Sequence, residues 1–199
     1  MITMLHLLLL STLFARIFSS YTYTYTLSNN DFETDTITEN SGEWQYSTPS
    51  GWIGSATLLV KSQSSSWLDG NDCASNSECI AIQMEGGYVA QLMSLPAANS
   101  AAVTFYFTSR RDCNIICNCD CNSLNNIPVN VYYGSVFIGT VYTTSSWTQA
   151  TVTIPSTSSH RTDYLYFKNG ITTSYDYTFL MDLVTITVTA PDPIYCYWD

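Results

Sequence analysis

Aromatic rings and cysteines are the side chains of this sequence best placed to do chemistry. Its 199 residues include 15 Tyr and 5 Trp, more rings than one core of this size needs. A ring with a polar tip at a surface offers a flat apolar face beside a hydrogen-bonding group, which suits a sugar. Tyr106, Tyr132 and Tyr166 stand at positions where apolar residues fill the other parity, so they are expected to face outward. Trp67 follows Ser64-Ser65-Ser66 in an expected loop and is the candidate exposed indole. Arg110 and Arg111 follow Phe105-Tyr106-Phe107. A guanidinium can grip hydroxyls or a carboxylate with two parallel hydrogen bonds. Equally, the two arginines can pair with Asp112 and Asp120 and neutralise an acidic surface. Both readings stand.

The seven cysteines are Cys73, Cys79, Cys113, Cys117, Cys119, Cys121 and Cys196. In an oxidising compartment they should mostly form disulfides. Cys73 and Cys79 are close enough to staple the Asn/Asp/Ser-rich loop between them. Cys113, Cys117, Cys119 and Cys121 crowd one loop, where two bridges are expected. An odd count leaves one thiol over. Cys196 is the candidate for an intermolecular bond; alternatively it reaches back to the cluster and one cluster cysteine stays free.

Catalytic constellations are scarcer. Beyond His6 the only histidine is His160, in the turn-like context Ser158-Ser159-His160-Arg161. There is no nucleophile elbow, phosphate loop or paired-His metal motif. Sixteen acidic residues would supply a carboxylate pair by chance alone. The expectation is a protein that is not an enzyme.

Strands are the elements that must position these groups. Thr, Tyr and Val are abundant, and β-branched and aromatic residues fit a pleated surface. Apolar residues alternate at Ile80/Ile82/Met84, Val103/Phe105/Phe107, Ala150/Val152/Ile154 and Val184/Ile186/Val188, a period of two that marks half-buried strands. Turn signals separate them, among them Pro49-Ser50-Gly51, Asp69-Gly70, Gly86-Gly87, Pro155-Ser156 and Asn169-Gly170. Roughly nine or ten short strands at this spacing imply an all-β antiparallel sandwich of the jelly-roll kind. Tyr21 to Thr26, alternating Tyr and Thr, reads as an opening strand.

Charge narrows the partners. Six Lys and Arg face sixteen Asp and Glu, a formal net charge of −10. Such a chain cannot neutralise many phosphates, so nucleic acid is not an expected partner, nor is cationic attachment to lipid. Residues 4–14 are apolar and give way to Ser19-Ser20, which reads as a signal peptide over residues 1–20. Membrane insertion is not expected, because Arg16 interrupts the run well before about 20 apolar residues. Residues 21–190 then form the domain and 191–199 a tail, in a protein secreted to the extracellular space.

Three stretches together resemble a known family. They are Leu27-Ser28-Asn29-Asn30-Asp31-Phe32-Glu33-Thr34 with Thr48-Pro49-Ser50-Gly51-Trp52-Ile53-Gly54; Gly86-Gly87-Tyr88-Val89-Ala90-Gln91 leading through Leu95-Pro96 into Val103-Thr104-Phe105-Tyr106-Phe107; and Ser146-Trp147-Thr148 with Phe179-Leu180-Met181-Asp182-Leu183-Val184. Their order is similar to that of the galactose-binding-like jelly rolls, which include many carbohydrate-binding modules. The resemblance implies a structural Ca²⁺ in some members, held where the first and last strands meet, and Glu33 and Asp182 sit at the matching positions. Two carboxylates with backbone carbonyls can supply the oxygen ligands such an ion needs. The resemblance also implies a carbohydrate-binding, lectin-like module without chemistry, its partner a glycan or glycoprotein. The alternative is a structural subunit of an extracellular or surface assembly. There the 21–26 arm adds a strand to a neighbour and Cys196 locks the self-assembly.

Overall fold

The computed structural model describes residues 20–75, 77–110, 126–172 and 177–191. Two antiparallel sheets make up the fold. The first has seven strands: β10 (Thr148–Ile154), β7 (Ser100–Ser109), β12 (Phe179–Pro191), β5 (Glu78–Ile82), β4 (Thr57–Lys61) and β2 (Trp44–Gln45) in that spatial order, with β1 (Ser20–Tyr25) also paired to β12. The second has five, in the order β3 (Ile53–Ser55), β6 (Tyr88–Leu95), β11 (Arg161–Asn169), β8 (Pro128–Tyr133) and β9 (Val136–Tyr142). The all-β sandwich expected from periodicity is therefore the fold of the chain. Among the described residues there are twelve strands where nine or ten were anticipated, because β2 and β3 are too short to show a period of two.

Alternation decides which side chains fill the space between the sheets. Val103, Phe105 and Phe107 of β7 and Phe179, Met181, Val184, Ile186 and Val188 of β12 point in from one layer; Val89, Met93, Leu95, Leu165 and Phe167 meet them from the other. The rings of Phe105 and Phe167 touch across the layers, centroids 4.9 Å apart and edge to face, the offset that ring quadrupoles favour.

β12 is long enough to serve two neighbours on one side. Phe179 to Met181 pair with β5, and Ile186 to Pro191 pair with β1. The register with β7 slips between Asp182 and Thr185, and Leu183 there has φ +51°. This bulge receives the loop after β1: Val184 N–H donates to the Asn30 carbonyl at 2.8 Å, and Asn30 Nδ2 donates to the Val184 carbonyl at 3.2 Å. Phe32 in that loop is fully buried against Trp52, so the opening and closing segments lie side by side.

The Tyr/Thr segment is a strand, as expected, and pairs with β12 of its own chain, Tyr21 opposite Ala190 through Tyr25 opposite Ile186. Tyr23 and Tyr25 pack against the core.

A second, smaller core corrects one expectation. Leu58, Val60, Ala81 and Leu180 alternate with inward-facing neighbours and so point to the outer side of the seven-stranded sheet. The segment after β4 folds over them, contributing Trp67, Leu68 and Cys73. Trp67, expected as an exposed ring, is 3% exposed. The cause is legible in chemistry: an apolar outer patch demands cover, and the disulfide Cys73–Cys79 ties the covering segment to β5. Arg110 lies over the Trp67 ring at 4.0 Å and donates to the Ser66 carbonyl at 3.1 Å.

Candidate functional site

Two groupings of functional side chains sit on opposite sheets. The first is acidic. Glu33, from the loop after β1, and Asp182, from β12, are brought together through Ser75. Ser75 N–H donates to Asp182 Oδ2 at 2.7 Å, and Ser75 Oγ donates to Glu33 Oε1 at 2.6 Å. Glu33 Oε1 also accepts from Glu78 N–H at 2.9 Å, and Asp182 Oδ1 accepts from Leu183 N–H at 2.8 Å.

Burial sets the electrostatics. Asp182 is fully buried; desolvation, and to a smaller extent the charge of Glu33, pushes it up to about 7 against hydrogen bonds from Ser75 and Leu183 that favour its charged form. Burial, then the negative charges of Glu33 and Asp35, likewise lifts Glu78 to about 7, with Lys61 pulling the other way. Glu78 Oε2 is buried without a hydrogen-bond partner. Converging carboxylates with an orphaned oxygen are the donor set a hard divalent cation accepts. Among the described residues, however, no three His, Cys, Asp or Glu side chains are grouped closely enough to form a ready cation site, and Ser75 stands between Glu33 and Asp182.

The second grouping is aromatic. Strand pairing aligns Ile53, Ala90, Tyr166, Tyr132 and Phe137 in one cross-strand row spanning all five strands of the smaller sheet. All point away from the core, since their sequence neighbours Val89, Leu165, Phe167, Val131 and Tyr133 fill it. Four inter-strand steps of about 4.8 Å make the row about 19 Å long. Tyr132 and Phe137 touch along it at 5.4 Å, and Tyr166 contacts Tyr88 and Tyr164 from the rows on either side at 5.7 and 5.9 Å. Phe137 is 55% exposed. The adjacent row is polar: Ser55, Tyr88, Lys168, Asn130 and Thr140. Desolvation, then the neighbouring Tyr88, Asp163 and Tyr164, raises the Tyr166 phenol above its ordinary range, so it stays a neutral donor at physiological pH.

A groove of about 350 Å³ opens at one end of this platform, lined by Tyr25, Ser28, Gly51, Ile53, Leu92 and Tyr164 among others. It exists because β3 covers only Tyr88 to Ala90 of the β6 edge. Its wall is held by Gln91, whose Oε1 accepts from Ser28 N–H at 2.8 Å while Nε2 donates to the carbonyls of Ser28 and Gly51 at 2.8 and 2.9 Å. Gly51 is required twice over: its φ is +82°, and a Cβ there would lie 2.7 Å from Ser28 Oγ.

The structure thus sorts the residues singled out in the sequence. Tyr132 and Tyr166 share the platform. Tyr106 lies on the other sheet, half-buried, opposite Gln149 and Asp182 in register. Trp67 and Arg110 belong to the second core. Arg111, Cys113, Cys117, Cys119, Cys121 and Cys196 lie outside the described residues. The sequence reading did not select Tyr88, Tyr164 and Phe137, whose parity was readable but whose register was not. It also did not select Ser75, which nothing in a Ser/Asn-rich loop distinguishes.

No family model and no curated protein matches the chain. Among solved structures, it is similar to a cyclase from Fischerella sp. in its apo form, with TM-score 0.62 and 12% identity over 84% of this chain and 96% of that one. It is similar to an arabinose-bound α-L-arabinofuranosidase, TM-score 0.52 and 10% identity, over 83% of this chain and 26% of that enzyme. Looser likenesses include a carbohydrate-binding module solved with β-1,4-galactotriose, TM-score 0.42 and 14% identity over 82% of this chain and 97% of that one. At these identities the likeness shows the fold. It also corrects the expectation that the chain is not an enzyme. That expectation rested on missing motifs, and a cyclase shares this fold across nearly its whole length.

Proposed function

We propose that this protein binds carbohydrate on the outer face of its five-stranded sheet. The observation that carries the reading is the in-register row Tyr166–Tyr132–Phe137, flanked by a polar row. These rings offer apolar faces to the C–H side of sugars, and Lys168, Asn130 and the phenols offer hydrogen bonds to hydroxyls. The platform is long enough for several sugar units. The disulfide Cys73–Cys79 suits an oxidising compartment, and we place the protein outside the cell. Among the described residues no helix is long and apolar enough to cross a membrane.

Ca²⁺ is proposed as a structural cofactor at Glu33 and Asp182, the two carboxylates that Ser75 bridges. When bound, the ion would neutralise carboxylates that burial otherwise penalises.

A glycan array followed by calorimetry on the best ligand tests the binding reading. Tyr166→Ala should weaken binding roughly tenfold, about 1.4 kcal/mol. Tyr106→Ala, on the opposite sheet, should leave it unchanged. Equal effects of the two substitutions, or no glycan bound at all, would remove the platform as the site.

A further inference from the structure

Charge is spread unevenly over this protein. The chain carries sixteen acidic and six basic side chains, yet the outward positions of the five-stranded sheet hold no carboxylate. The even-numbered residues of β6, β8 and β11 face outward, as Tyr132 and Tyr166 do, and Lys168 is the one charged side chain among them. β3 and β9 contain no charged residue. Lys168 is exposed. It lies on the middle strand, opposite Tyr88 on one side and Asn130 on the other. Among the described residues no carboxylate pairs with it, Glu85 of the adjoining turn included; the ion pair of β11 joins Arg161 to Asp163, at inward positions. Asn130 adds to the set. Its Oδ1 accepts from Thr140 Oγ1 at 2.6 Å, which occupies the acceptor and fixes the orientation of the amide. Its Nδ2 lies over Gly170, where a Cβ would collide with it. Gly170 follows Lys168 by two residues and so faces the same side; with no side chain, it leaves room for the amide nitrogen. Among the described residues that nitrogen donates to no group.

An ammonium with donors and no acceptor thus stands beside an amide nitrogen that also only donates. The ligand group that answers donors alone is one that only accepts, such as an ionised carboxylate or a sulfate. A neutral hydroxyl, by contrast, brings a proton for which Lys168 and Asn130 Nδ2 offer no acceptor. Tyr166 precedes Lys168 by two residues on the same face, about 6.6 Å along the strand. An acidic substituent of a sugar resting on the Tyr166 and Tyr132 rings therefore comes within the sweep of the Lys168 side chain. The net charge of −10 opposes an anion at long range, but at physiological salt such fields decay over about 8 Å, and the positive group stands on the face itself. We propose that the glycan recognised by this protein is acidic, carrying a uronic carboxylate or a sulfate ester, with Lys168 and Asn130 holding the anion while the tyrosine row carries the sugar ring. This rests on the carbohydrate-binding reading above and names the class of sugar.

An array of uronate, sulfated and neutral glycans, followed by calorimetry at about 0.15 M salt, tests it. Calorimetry compares trigalacturonic acid with its methyl ester, and 6-sulfated galactotriose with galactotriose. The charged member of at least one pair should bind roughly tenfold more tightly, the worth of one charge-assisted hydrogen bond. Which pair shows the preference separates carboxylate from sulfate. Lys168→Gln should shrink the ratio to about threefold or less. Asn130→Asp keeps the acceptor for Thr140 and puts a negative charge where the donor was, so it should abolish the preference. Tyr166→Ala should weaken both members of a pair alike. If neutral glycans bind as tightly as the charged ones, in both pairs and across the array, the acidic class is wrong and the platform stands. If a preference for charge survives both Lys168→Gln and Asn130→Asp, the anion is held elsewhere and the assignment is wrong. If no glycan of any kind binds, both readings fall together.

Discussion

Replacing Asp182 by Asn should remove the pH dependence of stability that this residue sets. Asp182 is raised from an ordinary 3.8 to about 7 in the fold. Between pH about 4 and about 7 the native state therefore holds a proton that the unfolded chain has released. Stability rises with pH only where the unfolded state binds more protons; here the native state binds more, so stability falls across that window. A rise of roughly three units corresponds to about 4 kcal/mol at the top of the window, at 1.36 kcal/mol per unit. Asn carries no charge and lacks this slope. It has its own cost, because Ser75 N–H and Leu183 N–H each require an acceptor oxygen, and an amide supplies one. The unsatisfied donor costs about 1–3 kcal/mol. The variant should thus be less stable than the wild type near pH 4 and as stable or more so above pH 7. Urea unfolding followed by tryptophan fluorescence, with EDTA throughout, would show the two stability curves crossing. Adding Ca²⁺ above pH 7 should then stabilise the wild type and leave the variant unmoved. A constant difference between the two proteins from pH 4 to 8 would refute the buried-carboxylate reasoning, whatever its sign.

Two other substitutions separate folding from binding. Gly51→Ala forces a side chain onto a φ of +82° and into Ser28, so thermal unfolding should show a loss of about 1–3 kcal/mol. Trp67→Ala empties the middle of the second core and should cost about 3–5 kcal/mol in a denaturant titration. Its glycan affinity, measured on folded protein, should match the wild type; a loss of affinity would place Trp67 at the binding surface after all.

The layers of the fold were readable because alternation is local: Val103, Phe105 and Phe107 declare an inward face without knowledge of any partner. Position across the sheet is not local. Tyr166 and Tyr132 could be marked as outward, but their meeting at adjacent register positions depends on β8 and β11 pairing, residues separated by a long excursion of the chain. Tyr106 has the same parity signal and lies on the opposite sheet. Trp67 failed for a different reason. A serine-rich flank suggests solvent, whereas both parities of Leu58-Leu59-Val60 are apolar, a sign that a second surface needs covering. Glu33 and Asp182 came together because the resemblance carried long-range information that composition and spacing lack. Ser75 between them was beyond either source.

The similarity to a cyclase sharpens what the acidic cluster could and could not do. An exclusion by motif speaks only for reactions that use the motif. General acid–base chemistry needs a group that titrates near the working pH, and Glu78 and Asp182, both pushed to about 7, meet that criterion. It also needs contact with the reacting atoms. Asp182 is fully buried, Glu78 Oε2 is sealed from solvent, and Ser75 occupies the approach between Asp182 and Glu33. A reactant would reach them only by displacing Ser75 from both carboxylates. The buried acids, bridged by Ser75, join the first and last segments of the chain.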